Sequence, residues 1–334
     1  MLDNKKVKPV TILTGFLGSG KTTYLNELLK WNPDRRYAII ENEIGQQGVD
    51  AELLVRKDGG FVQLDNGCIC CSMNGDLYDA LKEFSSQRDS FDELVIECTG
   101  IANPAPIAEP FLAQPQVRRV FPLKQVVCLV DAEHVEDQLA ESKESIQQIA
   151  FSDVILLNKT DLVHSAYIEL LRQKIAEINP FSTVLVGRKN NYPIAEIATV
   201  SHTRPPMKFH LGLPEPEAFS VVQKKQFRHG DIVSLSFYFD AAFEMQQLYH
   251  RMYQFLMFQS RSIYRMKGVF NDPTNSKKII LQSVGERLGI EEGNEWEQGE
   301  KRFSKVVFIG RKLQINSFEK ILSQCLKASA KILV

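Results

Sequence analysis

Short apolar, β-branched runs alternate with stretches of helical spacing through roughly the first 200 residues of the chain. Residues 10–14, 36–40, 61–64, 93–97, 124–131, 153–157 and 182–186 have the composition of buried strands. Between them, residues 23–31 carry apolar side chains at Tyr24, Leu25, Leu28 and Leu29. Residues 76–84 carry them at Leu77, Ala80, Leu81 and Phe84. Residues 134–150 and 164–178 complete the helical set. Strand and helix in turn predict an α/β domain built on a mostly parallel sheet.

The texture changes at a proline-rich stretch over residues 203–217. Beyond it, residues 231–240, 262–266, 278–284 and 304–309 suit strands, and residues 243–257 and 317–326 suit helices. This mixture predicts a smaller α+β domain. The expected division is residues 1–203, a linker over 204–228, and a C-terminal domain over 229–334, as a chain of 334 residues readily accommodates.

Composition narrows the function classes. A content of 44% hydrophobic and 24% charged residues is that of an ordinary globular protein. The net charge of −1 provides no field for nucleic acid or an anionic membrane. The basic N-terminus lacks the apolar core of a secretory signal, and no apolar run approaches the roughly 18 residues of a membrane span. A cytoplasmic protein is expected, and three of its six cysteines are gathered within four positions.

Three motifs carry the chemistry. Gly15-Phe-Leu-Gly18-Ser19-Gly20-Lys21-Thr22-Thr23 fits G-x-x-x-x-G-K-[ST] and lies between an expected strand and an expected helix, the setting of a P-loop. Its glycines let backbone N–H groups turn onto phosphate oxygens at a helix N-terminus. Lys21 would reach the β- and γ-phosphates, and the Thr22 hydroxyl would ligate Mg²⁺. At the end of a later strand, Glu97 is the expected carboxylate for Mg²⁺ or its water, and Gly100 the expected N–H for the γ-phosphate. Asn158-Lys159-Thr-Asp161 follows another strand as N-K-x-D, whose carboxylate accepts from the N1–H and 2-amino group of guanine. Adenine offers no such pair, so GTP is expected over ATP.

Cys68-Ile-Cys70-Cys71 is the third motif. Cys68 and Cys70 face one way in extended backbone, and Cys68 with Cys71 has C-x-x-C spacing. Metal binding, redox chemistry and structural burial all remain open, with clustering in a polar loop favouring metal. Two or three thiolates leave a coordination position open, which suits an ion to be handed over. Glu43 and Asp50, in an acidic, glycine-bearing loop, suit a metal contact or a solvated turn about equally.

With P-loop, N-G-C-I-C-C, E-C-T-G and N-K-T-D in this order, the chain resembles the CobW-like GTPases over nearly its whole length. These belong with the urease and hydrogenase nickel-insertion factors among metallocentre-assembly GTPases. Residues 263–268, 280–284 and 306–311 match that family's C-terminal domain, and the likeness is strongest to its small bacterial YjiA-type branch. The resemblance implies GTP hydrolysis coupled to delivery of a transition metal, commonly zinc, with Cys68, Cys70 and Cys71 as ligands. Co²⁺, Ni²⁺ or Fe²⁺ would suit the same thiolates. Gln46 stands where the family usually has Glu, which removes one oxygen ligand, and the family's common histidine-rich stretch is missing.

The expected partner is a client metalloprotein, met through the C-terminal domain or loops of the GTPase domain, with self-association as a further expectation. Two rivals differ in class. A regulatory GTPase with a protein or RNA partner leaves the cysteines unexplained. A small-molecule kinase leaves Asn158 and Asp161 without a role.

Overall fold

The computed structural model describes residues 7–41, 53–57, 60–64, 75–201, 223–229, 232–259, 262–284 and 286–327. Two compact units make up the chain, one of residues 1–176 with 182–202 and one of residues 177–181 with 203–334.

In the first unit β1 (Val10–Gly15) leads through the glycine loop into α1 (Lys21–Trp31) and then β2 (Tyr37–Glu41). The pair β3 (Leu53–Lys57) and β4 (Gly60–Leu64) follows, then α2 (Gly75–Ser86), β5 (Glu93–Glu97), α3 (Pro104–Ala113) and α4 (Pro115–Val120). Next come β6 (Leu123–Asp131), α5 (Val135–Glu141), α6 (Lys143–Phe151) and β7 (Val154–Asn158). The helix α7 (Ser165–Ile178), β8 (Thr183–Val186) and α8 (Ile194–Thr199) close this part.

These strands form one sheet in the order β4-β3-β2-β5-β1-β6-β7-β8. From β2 to β8 neighbours run parallel, whereas β3 and β4 join antiparallel at one edge. Every residue of β1 is buried, as a strand covered on both faces must be. One face carries Leu13, Ile39, Val95, Leu129 and Leu156, packed under Tyr24, Leu25 and Leu28 of α1 and Ile194 and Ile197 of α8. The opposite row, including Ile12, Ile96, Val126 and Ile155, is equally buried, and α3 and α6 contact β1 and β6.

The expected long helix over 134–150 is two helices, α5 and α6, broken at Ser142. That residue is extended, and its Oγ accepts from the Ser145 N–H to cap α6.

The second unit contains β9 (Gln223–His229), β10 (Ile232–Phe239), α9 (Met245–Gln259) and β11 (Ile263–Phe270). It continues with β12 (Lys277–Val284), β13 (Arg287–Glu295), β14 (Ser304–Arg311) and α10 (Ile315–Ser323). Its six strands are ordered β13-β12-β11-β14-β10-β9, each antiparallel to its neighbours. Leu248, Met252 and Leu256, four residues apart along α9, join Phe318 and Leu322 of α10 over Phe237 and Phe308. Phe308 and Phe318 bring their ring centroids to 4.4 Å. The strand β9 occupies residues 223–229, nearly all within the stretch expected as linker, because it pairs with β10 from Ile232 to Tyr238.

Candidate nucleotide site

The site forms at the C-terminal ends of the central strands, where open parallel sheets place their ligands. Leu13 of β1 is in register with Glu97 of β5, and Asp131 of β6 with Asn158 of β7. Gly15, Gly18 and Gly20 have φ of 139°, 76° and 98°, so the loop takes a path that side chains resist. Space forbids a side chain as well. A Cβ on Gly15 would lie 2.3 Å from the Leu129 carbonyl oxygen, and one on Gly20 would lie 2.4 Å from Asn158 Nδ2.

Lys21 is buried and folds back across this loop, its Nζ donating to the Gly15 carbonyl at 2.8 Å and the Phe16 carbonyl at 3.3 Å. Burial pushes its ammonium below the ordinary lysine value, while the Glu97 carboxylate pulls it partly back. Thr22 Oγ1 donates to Glu97 Oε1 at 3.0 Å. A hydroxyl beside a carboxylate, both hard oxygen donors, fits a magnesium ion.

Gly100 follows β5 and touches the loop directly: a Cβ there would lie 2.7 Å from the Leu17 nitrogen. The buried Asn158 donates from Nδ2 to the Ser19 carbonyl at 2.8 Å, which ties the N-K-T-D turn to the phosphate loop. Lys159 follows with φ of 58°, and Asp161 is exposed in the next turn. Thr160 Oγ1 donates to the Gly187 carbonyl at 3.0 Å, placing the 187–192 segment beside this turn.

Asp131 belongs to this arrangement although the sequence reading gave it no role. Lys159 Nζ donates to its Oδ2 at 2.7 Å, and the Glu133 N–H to its Oδ1 at 3.0 Å. Burial works to raise its pKa, but these donors hold it below the ordinary aspartate value. The signal was present in the chain: a carboxylate directly after the apolar run of residues 126–130. Glu133 and His134 complete a trio with Asp131 of the kind that holds cations. Here the Lys159 ammonium already serves as the counter-ion.

A cavity of about 410 Å³ opens beside the loop, lined among others by Phe16, Leu17, Gly18, Asp131, His134 and Lys159. Among the described residues the buried Ser19 Oγ is left without a hydrogen-bond partner, so the cradle retains polar capacity. Glu43, Asp50, Cys68, Cys70 and Cys71 lie outside the described residues. The three described cysteines, Cys98, Cys128 and Cys325, are buried and unpaired in disulfides. Burial lifts the Cys98 and Cys128 thiols to about 12, so both are inert packing groups.

A glycine cradle after the first parallel strand, a buried lysine, and a hydroxyl–carboxylate pair define a P-loop nucleotide-binding protein. Residues 9–186 match the family model described as CobW/HypB/UreG, nucleotide-binding domain, and residues 232–326 match the cobalamin synthesis protein CobW C-terminal domain. The chain belongs to this CobW family. It is 33% identical over 319 residues to the zinc chaperone YjiA of Escherichia coli, covering 91% of this chain and 94% of that one. The zinc-regulated GTPase metalloprotein activator 1 of Schizosaccharomyces pombe is 38% identical over 184 residues, 53% of this chain and 45% of that one. The crystal structure of zinc-bound YjiA GTPase from E. coli superposes with a TM-score of 0.68 at 27% identity, covering 96% of this chain and 99% of that one.

Proposed function

We propose that this protein is a metal-carrying GTPase, which hydrolyses GTP to GDP and phosphate and couples the cycle to delivery of a transition metal, zinc foremost, to a client protein. The observation that carries the guanine reading is the 2.8 Å bond from Asn158 Nδ2 to the Ser19 carbonyl, which joins the base-selecting turn to the phosphate loop. In this reading Gly15, Gly18, Ser19, Gly20 and Thr23 cradle the phosphates with their backbone, and Asn158, Lys159 and Asp161 receive the base. Lys21 balances charge on the β- and γ-phosphates, and Gly100 offers its N–H to the γ-phosphate. Thr22 and Glu97 would hold magnesium, which when bound neutralises phosphate charge.

Zinc enters as cargo. Relatives named zinc chaperone and a zinc-bound relative support that part, with Cys68, Cys70 and Cys71 as the proposed ligands and Glu43 as an oxygen donor. The client would be met through the C-terminal unit or through loops of the nucleotide-binding unit.

Competition titrations with Zn²⁺, Co²⁺, Ni²⁺ and Fe²⁺ test this, run with GDP and again with a non-hydrolysable GTP analogue. We expect tight zinc binding with the analogue, weaker binding with GDP, and loss of the difference in a Cys68/Cys70/Cys71→Ser variant. Equal affinity of the wild type and this variant in the GTP state would refute metal carriage through the cysteines. Phosphate release from GTP, and not from ATP, checks the enzymatic half.

A further inference from the structure

Gln148 is a buried residue of α6 that none of the roles above employs. Its Nε2 donates twice, to the Gly100 carbonyl at 3.0 Å and the Ala102 carbonyl at 3.1 Å. Both carbonyls belong to the loop that leaves β5 after Glu97. The same loop rests against the phosphate loop: a Cβ on Gly100 would lie 2.7 Å from the Leu17 nitrogen and 2.8 Å from Leu17 Cα. Gly100 is thus held between the P-loop backbone and a buried amide.

Glycine has the widest torsional freedom of any residue, so an unsupported Gly100 would not keep its N–H in one direction. Peptide units are planar, and pinning the Gly100 and Ala102 carbonyls orients the peptide planes that follow Gly100 and so restrains its torsions. The clamp is itself seated firmly. Ser152 Oγ donates to the Gln148 carbonyl at 2.6 Å, and α6 contacts β1 and β6. Ser142, which caps α6, lines the cavity beside the phosphate loop. Gln148 lies six residues further on, about 9 Å along the helix axis. One rigid helix therefore connects the cavity wall to the loop that carries Gly100.

We infer that Gln148 is a positioning residue that aims the Gly100 N–H at the terminal phosphate and so lets the site distinguish a nucleoside triphosphate from a diphosphate. The inference rests on the guanine-nucleotide reading above. In this reading GDP occupies the same cradle without reaching Gly100 and is spared when its aim is lost, whereas loss of a residue that only filled space would affect both nucleotides alike.

Gln148→Met keeps the volume and removes both donors. Binding of GDP and of a non-hydrolysable GTP analogue is measured by fluorescence titration with magnesium, with thermal unfolding as the check on folding. We expect the analogue to bind about tenfold more weakly, the order of one lost hydrogen bond to a buried group, with GDP affinity unchanged within about twofold. Gln148→His keeps one N–H donor and should show a smaller loss, again confined to the analogue. It stands as the test by itself if the Met variant is unstable. Equal losses for the two nucleotides would overturn the inference. Absence of guanine-nucleotide binding by the wild type would overturn the underlying reading instead, and the inference with it.

Discussion

Lys305 in β14 is 2% exposed, and burial lowers its ammonium from the usual lysine range to about 7. Its Nζ lies 5.1 Å from the centroid of the Phe181 ring, in the short segment grouped with the second unit. Between pH 7 and the ordinary lysine value of 10.5, the unfolded chain holds a proton that the folded chain lacks. Stability therefore rises with pH across that window, by up to about 1.4 kcal/mol per pH unit, and levels off at its lowest below pH 7, where both states hold the proton. Lys305→Met should flatten this slope, as urea unfolding at pH 7, 8 and 9 would show. At the same scale, the glycine loop and the N-K-T-D turn were legible in the sequence as motifs because each needs fixed residue types at fixed spacing. The contacts of Asp131 and Gln148 were not, because their hydrogen-bond partners lie 28 and 48 residues away and only the fold brings them near.

The parallel strands could be read from the chain because burial on both faces leaves unbroken apolar runs, as in β5, β6 and β7. The helices α3 and α4 could not, since Pro104, Pro106, Pro110 and Pro115 mask helical spacing. The fold accommodates Pro104 and Pro115 at first-turn positions, where a missing N–H costs nothing. Asn103 completes the start of α3 by accepting from the Ala105 N–H at 3.0 Å. Asn103→Ala should therefore cost about 1 kcal/mol of stability, measurable by chemical denaturation. Asn103→Ser, another good cap, should restore most of it. The strand β13 went unread for a different reason. Glu291, Glu292 and Glu295 interrupt its β-forming pattern, and an edge strand tolerates such charge because it guards against pairing with other chains.

In the whole molecule, carriage requires that the nucleotide and the metal sense each other, and thermodynamic linkage makes that requirement reciprocal. If the GTP analogue tightens zinc binding by some factor, zinc must tighten the analogue's binding by the same factor. The equality holds whatever path joins the two sites, so it tests coupling without assuming how the segment bearing Cys68 is placed. A factor of about 10 corresponds to about 1.4 kcal/mol, enough to shift a half-loaded carrier to mostly loaded. We expect titrations of the analogue with and without zinc, and of zinc with the analogue or GDP, to return matching factors. The Cys68/Cys70/Cys71→Ser variant should reduce both to unity while leaving analogue affinity in the absence of zinc unchanged. Gln148→Met should shrink both together, because it blunts the response to the terminal phosphate upstream of any metal. Zinc binding that stays equally tight with GDP and with the analogue would leave the nucleotide cycle without a grip on the cargo, and release would then have to be driven by the client alone.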